Sequence, residues 1–189
     1  MPKPLPYSSR PTTGLEGRGW QLPGFGRVKL VTAGASAANE ADLAWTQGRQ
    51  HEQRTVAWRW SELLKYRHDR FGIVDTSDRL LSLWCSEPRA PLVLPDKRAY
   101  RLDYLEVDPG HLGSSLGTFT MLTVYARALE VGADALILGS LPDSAGFYEK
   151  LDGIKGPVPG WKTEIGLIPF TFAKASLLEG LEALNGLQD

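Results

Sequence analysis

The clearest periodicity in the 189-residue chain lies between Ser115 and Val131. There Leu116, Phe119, Leu122, Val124 and Leu129 fall near helical spacing, and Gly132 is a natural stop. A second helical pattern covers Arg54 to Arg70, with Val56, Trp60, Leu63 and Leu64 as apolar positions and a cationic last turn that suits the helix dipole. The alanine-rich stretch 35–53 is also expected to be helical. So are Ser144 to Gly153 and the amphipathic "ASLLEGLEALNGL" near the C-terminus.

Strands are expected where the period drops to two. Arg27 to Gly34 reads as a first strand ended by glycine. Phe71 to Asp75 and "RLLSLWCS" read as two strands joined by a tight turn at "TSD". Tyr100 to Val107 reads as one strand, with Tyr100, Leu102, Tyr104 and Glu106 on one face and Arg101, Asp103, Leu105 and Val107 on the other. "DALILGS" is apolar enough for a buried strand, and "WKTEIGLIPFTF" holds one or two more. The order is strand, two helices, three strands, helix, strand, helix, strand, helix. It predicts an α/β (α+β) fold with a mixed, mostly antiparallel central sheet flanked by helices. Residues 1–26, rich in Pro and Gly, are expected to form an N-terminal arm anchored by Trp20, Leu22 and Phe25, and residues 27–189 a single domain.

Composition narrows the function classes. The net charge of -1 gives no broad electrostatic footprint for nucleic acid or an anionic membrane. No apolar run approaches the ~18 residues that span a bilayer. The single cysteine, Cys85, suits a core thiol in a reducing compartment, so a cytoplasmic protein is expected. His51 and His68 lack metal-ligand spacing, so no metal is expected. "KYRHDR" reads as a solvated helix end, and Trp45, Trp58 and Trp60 as core.

The chemistry concentrates in "LEVDPGHLGSSLG", residues 105–117. A strand there hands over to a helix through glycines and serines. A helix N-terminus carries unpaired N–H groups and a partial positive charge, and a glycine-containing turn lets backbone approach a pyrophosphate. Ser114, Ser115 and Thr118 could add hydroxyl donors. The plain alternative is a strand–helix turn capped by Ser115.

This stretch resembles the acetyl-coenzyme A (acetyl-CoA) loop of the GNAT superfamily of N-acetyltransferases. The family has an apolar strand ending Leu-x-Val-x-Pro, then x-x-(Arg or Gln)-Gly-x-Gly-x-Gly and a helix. Leu105, Val107, Pro109, Gly113 and Gly117 stand in register with it. Leu112 replaces the Arg or Gln, and Ser115 the middle glycine. "AGFYEKLDG" is similar to the family's later Ala-x-x-Phe-Tyr-x-Lys-x-Gly segment, with one residue more before the glycine.

The resemblance implies an acetyl-CoA-dependent transferase that acetylates an amine of a small molecule or protein. It places the cofactor against Leu105, Val107, Leu112, Gly113, Ser114, Ser115, Gly117 and Thr118. It makes the Val107 N–H the donor to the developing oxyanion and Tyr148 the acid for the departing thiolate. Tyr148 reads equally as a packed helix aromatic. Glu106, at the loop end of its strand, is the first choice of base, ahead of Asp103 and His111. A degenerate domain that binds a partner or coenzyme A without turnover is the alternative. Partners are acetyl-CoA and the amine, with no nucleic acid or membrane, and a homodimer is left open.

Overall fold

The structure is a computed structural model that describes residues 13–45, 59–86 and 91–188. The expected helical segment between Trp45 and Arg59, and Trp58 with it, lies outside the described residues. So does the first part of the expected arm, residues 1–12. The chain forms two compact units. The first comprises residues 1–87, 104–120 and 187–189, and the second residues 88–103 and 121–186.

The first unit is built on a five-stranded, wholly antiparallel sheet. Its strands are β1 (Gly19–Leu22), β2 (Gly26–Thr32), β3 (Asp69–Asp75), β4 (Leu80–Ser86) and β7 (Tyr104–Val107), in the order β1-β2-β3-β4-β7. One face carries Val31, Leu83, Cys85 and Tyr104 and packs on α1 (Ala35–Ala44) and α2 (Trp60–Leu63), with Ala38, Ala41, Trp45, Trp60 and Leu64 in the same cluster. The other face carries Trp20, Leu30, Ile73, Phe71 and Trp84. There Trp20 meets Phe119 edge-on at 5.7 Å and Phe71 meets Trp84 at 4.9 Å. Each fully buried aromatic contributes roughly 1.5–3 kcal/mol of transfer free energy, so this two-faced core is the main support of the sheet.

The second unit holds a mixed sheet of β5 (Leu92–Val93), β6 (Arg98–Leu102), β8 (Ala135–Ser140), β10 (Ile168–Ala173) and β9 (Ile154–Lys155), in the order β5-β6-β8-β10-β9. Only β6 and β8 are parallel. α5 (Lys174–Gly186) packs on β8 and β10 within this unit. α3 (Leu116–Glu130) belongs to the first unit up to Thr120 and to the second from Met121. It ends as expected at Gly132, whose φ is 77°. Gly132 and Ala133 donate back to the Leu129 and Ala128 carbonyls and so satisfy the last turn.

Several expectations change. Within the stretch expected to be an arm, Gly19–Leu22 pairs with β2 as a strand, and the expected anchors Trp20 and Leu22 are buried. The helix expected to run to Arg70 stops at Leu63 and continues only as a 3₁₀ turn, Leu64–Tyr66. "KYRHDR" is therefore no solvated helix end. Asp69 and Arg70 begin β3 and are buried; Asp69 accepts from or pairs with His68 at 2.9 Å, and Arg70 Nη1 donates to the Arg67 carbonyl. Tyr100 to Val107 is two strands in two sheets, broken at Asp103. One central sheet was expected, and two mostly antiparallel sheets are found. The α/β class stands, and Cys85, Trp45 and Trp60 are core as expected.

Candidate functional site

The β7–α3 segment lies in the first unit. Asp108 N–H donates to the Leu81 carbonyl at 2.8 Å. The register pairs Glu106 with Leu83 and Val107 with Ser82. In an antiparallel ladder, hydrogen-bonded and non-hydrogen-bonded pairs alternate. Since Asp108 is bonded to β4, Glu106 is also bonded to it, whereas the N–H groups of Leu105 and Val107 point away from β4. β7 is the last strand in its sheet, so these groups face the sheet's outer edge.

Past the strand, Asp108 ties the turn down. Its Oδ1 accepts from Gly110 N–H at 2.9 Å and its Oδ2 from Arg79 Nη2 at 2.7 Å. Arg79 also lies 3.2 Å from His111 Nε2, and the His111 ring meets Phe25 at 4.9 Å. Pro109–His111 is a 3₁₀ turn. Gly113 follows with φ 78°, a left-handed conformation that glycine adopts without the Cβ penalty. Ser114 Oγ donates to the His111 carbonyl at 2.6 Å and accepts from Leu116 N–H.

Ser115 does not have positive φ. Its carbonyl accepts the first helical bond, from Phe119 N–H at 2.9 Å, so it is the N-cap of α3. A glycine there would gain no conformational freedom that this turn uses. The Gly117 and Thr118 N–H groups precede that first bond and have no helical partner. Leu112, Gly113, Ser114, Ser115 and Thr118 are exposed, with Leu112 at 61%. Below them Leu116 and Phe119 are buried, and Ser82 Oγ–H donates to Thr120 Oγ1, which donates to the Leu116 carbonyl. These contacts fix the first turn of α3 on the sheet. The loop therefore offers a line of backbone donors on an anchored helix end.

Glu106 points to the opposite face, toward α1 and α2, and is buried. Its Oε2 accepts from the Trp60 indole Nε1–H at 2.7 Å. Asp42 of α1 in turn accepts from the Trp60 and Ser61 N–H groups at 2.6 and 3.0 Å, capping α2. Sequence reasoning missed Asp42 and Trp60. The available signal was that a buried indole N–H usually needs an acceptor. Asp103, the second choice of base, is in the second unit and ion-paired with Arg101.

Tyr148 also lies in the second unit, on α4 (Ala145–Glu149). It is buried against Phe147, Phe170 and Phe172, with ring centroids at 5.0, 5.7 and 6.4 Å. Burial pushes its phenol up to about 12. Gly153 abuts the Tyr148 carbonyl and the Phe170 and Phe172 rings so closely that a Cβ there would meet all three at 2.7–3.0 Å. The structure thus brings Glu106, Leu105, Val107 and 112–118 together in one unit and places Tyr148 in the aromatic core of the other.

Among the described residues, no group of His, Cys, Asp and Glu is arranged to hold a metal ion, and no helix is long and apolar enough to cross a membrane. No protein-family model matches the sequence, and a comparison with curated protein sequences finds no significant relative. Solved structures do match. A GNAT-family acetyltransferase from Staphylococcus aureus Mu50 aligns with 78% of this chain and 99% of its own, at TM-score 0.62 and 11% identity. Mycobacterium smegmatis RimJ, solved with CoA-disulfide, aligns with 90% of this chain and 94% of its own, at TM-score 0.61 and 10% identity. The Escherichia coli ribosomal-protein-S18-alanine N-acetyltransferase aligns over 77% and 93%, at TM-score 0.55 and 14% identity. The chain has the GNAT superfamily fold.

Proposed function

We propose that this protein is an acetyl-CoA-dependent N-acetyltransferase that moves an acetyl group to an amine of a small molecule or protein. The carrying observation is the outer edge of β7 running through the Gly113 turn into the N-terminus of α3. An extended amide-bearing chain suits such a strand edge, since main-chain groups pair with main-chain-like groups. A pyrophosphate suits the N–H groups of Gly117 and Thr118 beside the helix's partial positive charge. Ser114, Ser115 and the backbone at Leu112 and Gly113 line the same exposed turn. The donor set therefore fits acetyl-CoA.

In this reading the cofactor supplies an activated acetyl thioester. The Val107 N–H donates to the oxygen that gains charge as the amine attacks. Glu106, or a water it orders, takes the amine's proton. A proton must also reach the departing thiolate, the role for which the family resemblance of the "AGFYEKLDG" segment nominates Tyr148. The raised phenol makes that last role the most demanding, because a weaker acid gives up its proton less readily.

That same burial favours a second reading, in which Tyr148 only packs and the domain binds coenzyme A or a partner without turnover. The test is thermal stabilisation by acetyl-CoA, coenzyme A and a desulfo analogue, followed by thioester loss with a panel of amines. Ligand at about 100 times its Kd should stabilise by about 2.7 kcal/mol. Stabilisation with turnover supports the transferase, and stabilisation without turnover across the panel supports the binding module. No stabilisation at millimolar cofactor refutes both.

A further inference from the structure

We infer that Trp60, itself held by Asp42, is the positioning residue that fixes the Glu106 carboxylate for proton transfer. The inference rests on the proposed role of Glu106 as base and deepens it. Glu106 stands on β7 opposite Leu83 and faces a cluster of Trp60, Leu64, Leu83 and Cys85. A carboxylate in such surroundings needs a hydrogen-bond donor to remain charged. The indole is a neutral donor, so its 2.7 Å bond orients Oε2 without cancelling the carboxylate charge.

The donor is built, not incidental. Trp60 is the first residue of α2, is fully buried, and has its own N–H gripped by Asp42 at 2.6 Å. Ring position and helix start are therefore fixed by the same residue. α2 is only four residues long, too short to hold its place by helix propensity. The Asp42 clamp and the Trp60–Glu106 bond supply what its length does not.

Among the described residues, the charged and titratable groups on the elements packed here include Tyr104 on β7, Cys85 on β4, Arg70 on β3, Arg67 over the Tyr104 ring, Asp42 and Glu40 on α1, and Glu62 of α2, which pairs with Lys65. Asp42 binds the Trp60 and Ser61 N–H groups and Glu40 binds Leu80 N–H, so each α1 carboxylate has a backbone partner.

The test uses the full chain labelled with ¹⁵N-tryptophan. The Trp60 indole N–H signal, assigned by its loss in Trp60→Phe, should move upfield in Glu106→Gln, because a carboxamide oxygen is a weaker acceptor than a carboxylate. A Trp60 indole indifferent to Glu106→Gln overturns the inference, whether or not turnover is found.

Kinetics with the amine found active in the panel add the catalytic readout. Removing a donor to the charged form raises a carboxyl's pKa. Trp60→Phe should therefore move the acid limb of kcat/KM upward by about one pH unit, with acetyl-CoA Kd within about twofold. β-(3-Benzothienyl)alanine at position 60 keeps the ring shape without an N–H and should shift the limb equally, even if the phenylalanine variant folds poorly. An unmoved limb in either folded variant overturns the positioning role. If Glu106→Gln leaves the limb in place, it is the base reading that fails, while the indole signal still reports whether Trp60 holds Glu106.

Discussion

Gly113→Ala isolates one requirement of the candidate cofactor loop. Gly113 has φ 78°, and a Cβ built on it meets no atom within 4 Å. The substitution therefore adds backbone strain and no clash. Placing alanine in the left-handed region costs about 1–2 kcal/mol. Stiffening the unfolded chain returns about 0.4–1 kcal/mol. The net loss is about 1 kcal/mol. For a chain of this size that lowers Tm by about 2–4 °C.

Whatever strain the free loop relieves by deforming must be restored when a ligand needs the original turn. In full, about 1 kcal/mol is about fivefold in the Kd for acetyl-CoA. Gly113→Asn is the control, because asparagine tolerates this region better. Differential scanning calorimetry and titration calorimetry read the two effects. If Gly113→Ala leaves both Tm and Kd unchanged, or if alanine and asparagine behave alike, the left-handed turn is not what shapes this loop.

Two more outcomes are expected. Tyr148 is raised from 10.0 to about 12 by burial, so between those values the unfolded state has lost a proton that the folded state retains. Stability should be unaffected by this group below about pH 10 and should fall through that window by about 1.4 kcal/mol per pH unit. Tyr125, also raised by burial and next by Asp152 and Tyr148, adds to the same loss. Urea midpoints at pH 9.5 and 11 should converge less in wild type than in Tyr148→Phe, and equal slopes would refute the burial argument. Leu112→Arg adds a cation at a 61% exposed position beside the exposed turn. It should tighten acetyl-CoA about two- to fivefold at low salt and lose that gain near 1 M salt, where the Debye length falls to about 3 Å. A salt-independent change would place the anion elsewhere.

What the sequence disclosed was local. The turn at Gly113, the long helix α3, its stop at Gly132 and the core strand β8 follow from spacing within a few residues. What it hid depends on distant partners. In Tyr100 to Val107 the apolar face switches at the adjacent Tyr104 and Leu105, a local sign of a break, but nothing in the stretch itself says that Tyr100 pairs with Leu136 and Tyr104 with Cys85. Asp69 and Arg70 look like a solvated helix end until His68 and the Arg67 carbonyl are seen to engage them. Trp20 and Leu22 sit in a stretch whose glycines suggest a tail, yet β2 recruits them. The Trp60–Glu106 bond joins residues 46 positions apart. Alternation placed Glu106 on the face opposite Val107, but only the assembled sheet and α2 reveal its donor.

The first sheet is also completed from far along the chain. Gln21 N–H donates to the Leu187 carbonyl at 2.9 Å, and Trp20 forms a β-bridge with Gln188. In a ribosome that makes the polypeptide from its N-terminus, β1 emerges early and must wait for more than 160 residues before these partners exist. Until residues 187 and 188 leave the exit tunnel, one edge of the nascent sheet lacks them. The vectorial order of synthesis thus leaves a strand edge available to chaperones, or to the same strand of another nascent chain, while the residues in between are being made.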